Sequence, residues 1–453
     1  MTVAPNRQPL TLDQLLPLFG GMETITDPPQ IAKLSQDYYT FSPVLQRQLH
    51  GKLADLVVRP ADETEVKQAA AICAQSGIPL TVRGAGTGNY GQCVPLRGGV
   101  VLDMSRLNRV LWVKPGVVRV EAGAKLAAID KQTRESGWEI RMAPSTYRTA
   151  SIGGFIAGGS GGIGSVTYGQ LRDRGNILAL RVVTVEPEPR VIELRGEAVH
   201  KVSHAWGLNG IITEVEMPLA PAYPWAELVV CFPEFMPAAH FGQALAEADG
   251  ITKKMISIHA WPIPSYFAAL KSYLPEGSHS ALLMIAEPSL EAVSELVKEH
   301  GGTIVYQKSA LEASRGLALG EYTWNHTTLH ARSVDPSLTY LQTLFPPDRH
   351  LKLVEQMFDH FGDEVLMHLE FVRVQGCVQV AALQIVRFRS EARLHEIIRY
   401  HEEQGAFIAN PHTYIIEDGG RKEMDPQQLI FKKQVDPYGL LNPGKMKTPL
   451  LVE

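Results

Sequence analysis

A chain of 453 residues exceeds what one hydrophobic core normally serves, so two or three domains are expected. Its 45% hydrophobic and 20% charged residues describe an ordinary globular protein, and a net charge of −5 provides no electrostatic footprint for nucleic acid or an anionic membrane. Cys73, Cys93, Cys231 and Cys377 are scattered without C-x-x-C spacing, which argues against a zinc ribbon, a disulfide framework or an iron–sulfur centre and for a reducing compartment.

The N-terminus lacks a basic-then-apolar leader, and no apolar run approaches the roughly eighteen residues of a membrane span, so a cytoplasmic location is expected. An amphipathic helix is predicted around residues 12–18, followed by a proline-containing connection. Residues 56–60 read as a strand closed by Pro60. Asp62 and Glu65 then start a helix with Val66, Ala69, Ala70 and Cys73 on one face, ended by Gly77. Strands are predicted at 80–82, 100–103 and 117–121, then a helix at 124–135 and strands at 177–185 and 210–216. Pro218, Pro221 and Pro224 mark a boundary. Beyond it come strand 228–232, helix 237–248 and strand 255–259. The same arrangement repeats as 282–286, 290–300 and 303–306, which suggests an antiparallel sheet backed by helices on one side. A hairpin of 365–374 and 379–387 precedes helix 391–404, and 430–435 leads into a turn-rich tail. The short basic cluster Lys432-Lys433 reads as solvated helix surface.

Two glycine-rich stretches stand about sixty residues apart. The first, Arg83-Gly-Ala-Gly-Thr-Gly-Asn-Tyr-Gly91, follows a strand. Glycine is costly to order, and its usual reason is close backbone approach to a ligand; successive bare amides suit a diphosphate. No Gly-Lys-Ser/Thr closes this loop and no helix follows Gly88, so it is neither a Walker loop nor a Rossmann fingerprint. The second stretch runs from Pro144 through Ser145, Thr146 and Ser151-Ile-Gly-Gly to Gly161-Gly-Ile-Gly164 and Tyr168-Gly169. Ile152, Phe155 and Ile156 interrupt it, which a flexible linker does not do.

Val82-Arg-Gly-Ala-Gly-Thr-Gly88, Ser151-Ile-Gly-Gly154, Gly161-Gly-Ile-Gly-Ser-Val-Thr-Tyr-Gly169, Gly210-Ile-Ile-Thr213 and Asp436-Pro-Tyr-Gly-Leu-Leu-Asn-Pro-Gly-Lys445 together resemble the signatures of the vanillyl-alcohol oxidase/p-cresol methylhydroxylase (PCMH)-type FAD flavoproteins, nearest the glycolate/D-lactate/D-2-hydroxyglutarate dehydrogenase-like branch. The resemblance covers residues 50–220 and 430–446 and fades between 225 and 425. It implies an α+β fold: a helical extension over 1–49, a two-subdomain FAD-binding domain over 50–222, a cap over 223–425 and a C-terminal segment, 426–453, that returns to the FAD domain. The cofactor-binding residues it implies are Arg83, Gly84, Ala85, Gly86, Thr87, Gly88, Asn89, Gln92 and Cys93 in the first stretch, and Pro144, Ser145, Thr146, Ser151, Gly153, Gly154, Gly158 and Ser165 in the second, with Ile212, Asn442 and Lys445. Relatives with covalent flavin carry a histidine where this chain has Thr87, so non-covalent FAD is expected.

The 2-hydroxy-acid branch carries a His-x-Gly-Asp-Gly-Asn-x-x-His segment and a later Glu-His-Gly that hold a metal. Here those regions read Met367-His-Leu-Glu-Phe-Val-Arg373 and Ala409-Asn-Pro-His-Thr-Tyr414. No metal is therefore expected, although His368, Glu370 and His412 are residue types that suit one. In alcohol oxidation a base takes the hydroxyl proton as hydride leaves carbon, and histidine is the natural base near neutral pH. His326 or His368 as base and Arg332 or Arg373 as carboxylate anchor are the candidates, with Tyr322 and His412. The expected function is oxidation of a 2-hydroxy acid or similar alcohol, with electrons passed to oxygen, a quinone or an acceptor protein. The alternatives are a sugar, alditol or lactone substrate, or a flavin-binding subunit that only relays electrons.

Overall fold

The computed structural model describes residues 11–159, 161–313, 318–421 and 425–448. The outermost residues of the expected N- and C-terminal segments, 1–10 and 449–453, lie outside them.

Strands Leu56–Arg59, Val100–Asp103 and Leu80–Arg83 pair in parallel, in that order, with Glu23–Ile25 antiparallel at the edge. Their crossover helix Glu63–Ser76 forms where local signals demand it: Asp62 accepts the Glu65 amide, and Gly77 takes the left-handed conformation that ends it. It buries Val66, Ala69, Ala70 and Cys73 against the sheet. A second, antiparallel sheet runs Val110–Lys114, Val117–Glu121, Ile211–Pro221, Ala179–Val183, Val191–Arg195. Ile211–Pro221 passes through Pro218 and ends on Pro221. Pro218 faces Val117 at the end of one ladder, and from Leu219 the strand pairs with Trp138–Ile140, so the missing amide falls where the partner changes. The helix predicted over 12–18 is one α turn, Leu12–Leu15, passing into a 3₁₀ turn, Leu16–Phe19, at Pro17.

A third sheet of eight antiparallel strands begins at Trp225–Phe232, and helices Phe235–Glu247, Leu290–Glu299, His350–Phe361 and Glu391–Glu403 cover one face of it, as the alternating pattern suggested. The predicted hairpin is His368–Val374 with Cys377–Ala382. Ile385–Arg387 peels away and joins Val365–Leu366 and Leu338–Tyr340 in a small separate sheet. The other face of the large sheet packs on 3₁₀ turns and helix Asn325–Val334.

Two buried ionic joints hold these parts together. Glu139, fully buried, accepts hydrogen bonds from Trp225 Nε1 (2.9 and 3.0 Å), Lys254 Nζ (2.8 Å) and Arg134, so one carboxylate ties the second sheet to the first two cap strands. At the C-terminus, Lys432 is not solvated as its neighbourhood suggested. Its Nζ is buried, donating to Asp436 Oδ2 (2.5 Å) and Leu441 O (2.9 Å), while Asp436 caps the amides of Leu440 and Leu441. This turn lays Leu441 beside Leu80 as an added parallel bridge on the first sheet.

Candidate functional site

The two glycine stretches meet. A Cβ on Gly84 would stand 2.1 Å from Ser151 Oγ and 3.5 Å from Gly154 Cα, so the Ser151 side chain occupies the space that a side chain on Gly84 would need. Ser151 caps helix Ile152–Gly158 through the Gly154 amide, and the helix docks with Gly153 N–H on Ala122 O (2.8 Å). Along this seam lies a cavity of about 990 Å³, at the upper end of the range for ligand pockets. The two glycine stretches form one wall, and the cap forms the other through Trp324, Asn325, Gln342, Thr343, Leu344 and Phe407. Tyr90 bridges the two walls, its hydroxyl donating to Gln342 Oε1 (2.5 Å) and Ala409 O (3.2 Å).

All the proposed cofactor residues line this cavity except Arg83, Ser165, Asn442 and Lys445, which stand behind its wall. Arg83 props the first loop through Gln36 O, Ala85 O and Cys93 Sγ. Ser165 Oγ accepts the Gly162 amide. Asn442 Nδ2 pins the carbonyls of Gln92 (2.9 Å) and Trp206 (2.6 Å), and Lys445 Nζ donates to Gly91 O. The cavity suits a large polar ligand, because four buried atoms of its lining residues have no hydrogen-bond partner among the described residues: Asp37 Oδ2, Trp206 Nε1, Asn209 Oδ1 and Asn325 Oδ1. Asp37, Trp206 and Asn209 carried no signal in the sequence.

None of the six proposed catalytic residues lines the cavity. Strand alternation explains Arg373: Val372 and Val374 face the cavity, so Arg373 points to the helix side, donating to Ala246 O and Asp249 (2.6 Å). His326 is paired with Glu321 (3.0 Å), Arg332 is spent on Leu338 O, and Tyr322 stacks on His330 at 4.5 Å between centroids. His412 is buried between Ser42 Oγ (2.8 Å) and Tyr340 O (2.9 Å), far from the role of a ligand beside His368 and Glu370. Among the described residues no three His, Cys, Asp or Glu side chains are arranged to hold a metal ion.

His368 and Glu370 instead build a buried support for the cap wall. Glu370 Oε1 accepts from Ser257 Oγ (2.8 Å) and the Trp324 amide (2.7 Å), and His368 Nε2 stands 2.9 Å from it. His259 stacks on His368, and burial with the neighbouring ring holds its pKa well below the usual histidine value. Trp324 has φ +52° and ψ −139°, a conformation that non-glycine residues reach only under constraint. The Glu370 clamp on its amide supplies that constraint and presents Trp324 and Asn325 to the cavity.

His401 and His412 are both held neutral by burial, down to about 4. A histidine whose folded pKa lies below its unfolded value stabilises the fold above the unfolded pKa and withdraws that support as pH falls. Each should remove roughly 2 kcal/mol between pH 7 and pH 5. Thermal denaturation at the two pH values measures this. His412→Gln should narrow the gap between them, and an unchanged gap would exclude the assignment.

Residues 54–194 match the FAD binding domain family, which supports FAD as the cofactor, and the mixed helix-and-sheet fold is like that of PCMH-type FAD proteins. The chain is similar to an uncharacterized FAD-linked oxidoreductase of Mycobacterium tuberculosis, 32% identical over 164 residues, and to the glycolate oxidase subunit GlcD of Escherichia coli, 30% identical over 185 residues. These matches cover 36% and 39% of this chain and only 34% and 36% of those proteins, about a third of their length. Similarity to a D-lactate dehydrogenase of Anaerostipes hadrus is lower, 25%, but spans 88% of this chain and 90% of that one. Among solved structures, an alkyldihydroxyacetonephosphate synthase superposes with a TM-score of 0.70 at 17% identity, over 93% of this chain and 82% of that one. No helix among the described residues is long and apolar enough to cross a membrane.

Proposed function

We propose that the protein is an FAD-linked oxidoreductase that oxidises the carbinol carbon of a small 2-hydroxy acid, of the glycolate or D-lactate type, or a similar alcohol. The observation that carries this reading is the single cavity shared by the glycine walls of the FAD domain and the cap. The names of the relatives, a glycolate oxidase subunit and D-lactate and D-2-hydroxyglutarate dehydrogenases, support the substrate class. Bound FAD supplies a two-electron acceptor for hydride. The backbone of the two loops holds its diphosphate, and Asn325 Oδ1 accepts a hydrogen bond from a substrate hydroxyl. Leu344, Val372, Leu383 and Phe407 keep the cap side of the cavity dry.

FAD is held without a covalent bond in this reading. Thr87 offers no imidazole, and burial pushes the Cys93 thiol up to about 11, so it stays protonated and unreactive. A neutral sugar, alditol or lactone is the second reading. It is favoured by the described cap residues that line the cavity, which include Asn325, Gln342, Thr343 and Gln375 but no Lys or Arg.

One preparation tests both points. Acid precipitation should release all the flavin into the supernatant. Anaerobic addition of glycolate, D-lactate or D-2-hydroxyglutarate should then bleach the flavin band of the untreated protein. Bleaching by alditols alone would transfer the assignment to the second reading, and no bleaching by any alcohol would leave only electron relay.

A further inference from the structure

Asp37 lies in the segment between helices Pro28–Leu34 and Pro43–Leu49, and it lines the cavity. The Tyr39 amide donates to its Oδ1 (3.0 Å), and the Tyr38 amide donates to Gly88 O (2.7 Å), which ties this segment to the loop. The other oxygen, Oδ2, is shut off from solvent and has no hydrogen-bond partner among the described residues. Gly88 lies against it without a hydrogen bond, since a Cβ there would stand 3.7 Å away. The cations nearby are committed elsewhere: Lys445 to Gly91 O, and Arg83 to Gln36 O, Ala85 O and Cys93 Sγ. Of the other titratable groups around it, the Cys93 thiol is pushed up to about 11, and burial raises the phenols of Tyr39 and Tyr340, so all three remain neutral through pH 8.

We propose that Asp37 is a cofactor contact that works as a carboxylic acid: in the FAD-bound protein Oδ2 carries a proton and donates a hydrogen bond to an acceptor atom of FAD, and binding takes that proton from solvent. FAD brings a diphosphate dianion against the glycine loops and displaces water from the cavity, and both effects disfavour a carboxylate. Lys445, the Tyr39 amide and Arg83 oppose this, but burial already outweighs them and holds Asp37 at about 6 without the cofactor. The same burial lowers Lys445 to about 8, so the pair does not behave as a fixed ion pair. A carboxyl kept neutral by its site is a strong hydrogen-bond donor near pH 7.

The sign of the linkage follows. A pKa that rises on binding means proton uptake, so FAD binds most tightly at low pH. Its affinity then falls, by up to about tenfold per unit, as pH climbs from the free toward the bound pKa. His200 and His204 also line the cavity, so the measured quantity is a difference between variants.

The test titrates the full-length, flavin-stripped chain with FAD by calorimetry at pH 7, in two buffers of different ionisation enthalpy, and repeats the binding from pH 6 to 8. Wild type should take up roughly half to one proton more than Asp37→Asn. The asparagine amide donates without titrating, so that variant should keep wild-type affinity at pH 6 and show a shallower pH slope, whereas Asp37→Ala should bind about tenfold more weakly. Equal proton counts in wild type and Asp37→Asn would overturn the proposal, as would a folded Asp37→Asn protein that no longer holds FAD. Should that variant fail to fold, Asp37→Ala takes its place in the comparison, and equal proton counts in it and wild type overturn the assignment.

Discussion

Glu139→Ala should lower stability by about 3–5 kcal/mol, because it leaves Lys254 buried with its carboxylate removed and strips the indole of Trp225 of its acceptor. Lys254 keeps only a long contact to Ile140 O (3.5 Å) and the face of Trp225, 5.5 Å from its centroid. For a chain of this length the loss corresponds to a fall of about 3–5 °C in Tm. The cost should be partly recovered in the double variant Glu139→Ala/Lys254→Met, which removes the stranded charge as well. Calorimetric melting of the two variants checks this. A double variant no more stable than the single one would mean that the carboxylate acts through something other than the ion pair.

Gly153→Ala should empty the protein of FAD. Its Cβ would stand 2.7 Å from Ala122 Cβ and 2.8 Å from Ala122 O, and backbone cannot swing aside as the tip of a side chain can. The helix must shift instead, at a cost of roughly 1–3 kcal/mol, carrying Ser151, Gly154 and Gly158 away from their places in the cavity wall. FAD affinity measured by quenching of flavin fluorescence should fall by about a hundredfold, the loss of roughly 2.7 kcal/mol of binding. Gly137→Ala offers the contrast. Gly137 has φ +81° with nothing within 4 Å of its Cβ, so the strain there is local and FAD binding should be untouched. Equal FAD affinity in the Gly153→Ala protein and wild type would remove the helix from the cofactor site.

What the sequence disclosed was whatever is encoded over short spans. The cap at Asp62 and the stop at Gly77 bracket a helix because both act within one turn of its ends. The glycine loops were readable because a side chain on Gly84 would collide with the Ser151 hydroxyl of the second stretch. Lys432 was misread although its partner Asp436 lies four residues on, the spacing of one helical turn; the burial that makes the pair decisive comes from Leu441, which folds back from beyond the helix. The polar cap residues proposed for catalysis stand off the cavity for a different reason. Residue type marked His326, Arg332 and Arg373 as chemically able, but only strand parity and the packing of helix Asn325–Val334 decide which side chains meet the cavity, and those turned Trp324 and Asn325 toward it instead. Asp37 was illegible because its significance is one unpaired oxygen, created by a segment, a loop and a tail that converge from residues 37, 88 and 445.

The tail deserves to be followed in time as well as in space. Leu441 completes the edge of a sheet begun at Leu56, and Asn442 and Lys445 fasten carbonyls of the first glycine loop that were synthesised some 350 residues earlier. On the ribosome that loop emerges, waits through the whole of the cap, and receives these two fastenings only when residues 442 and 445 appear. The first glycine loop thereby depends on residues far downstream of it, and a chain interrupted before Asp436 keeps the Arg83 and Tyr38 ties to the loop but lacks the Asn442 and Lys445 fastenings.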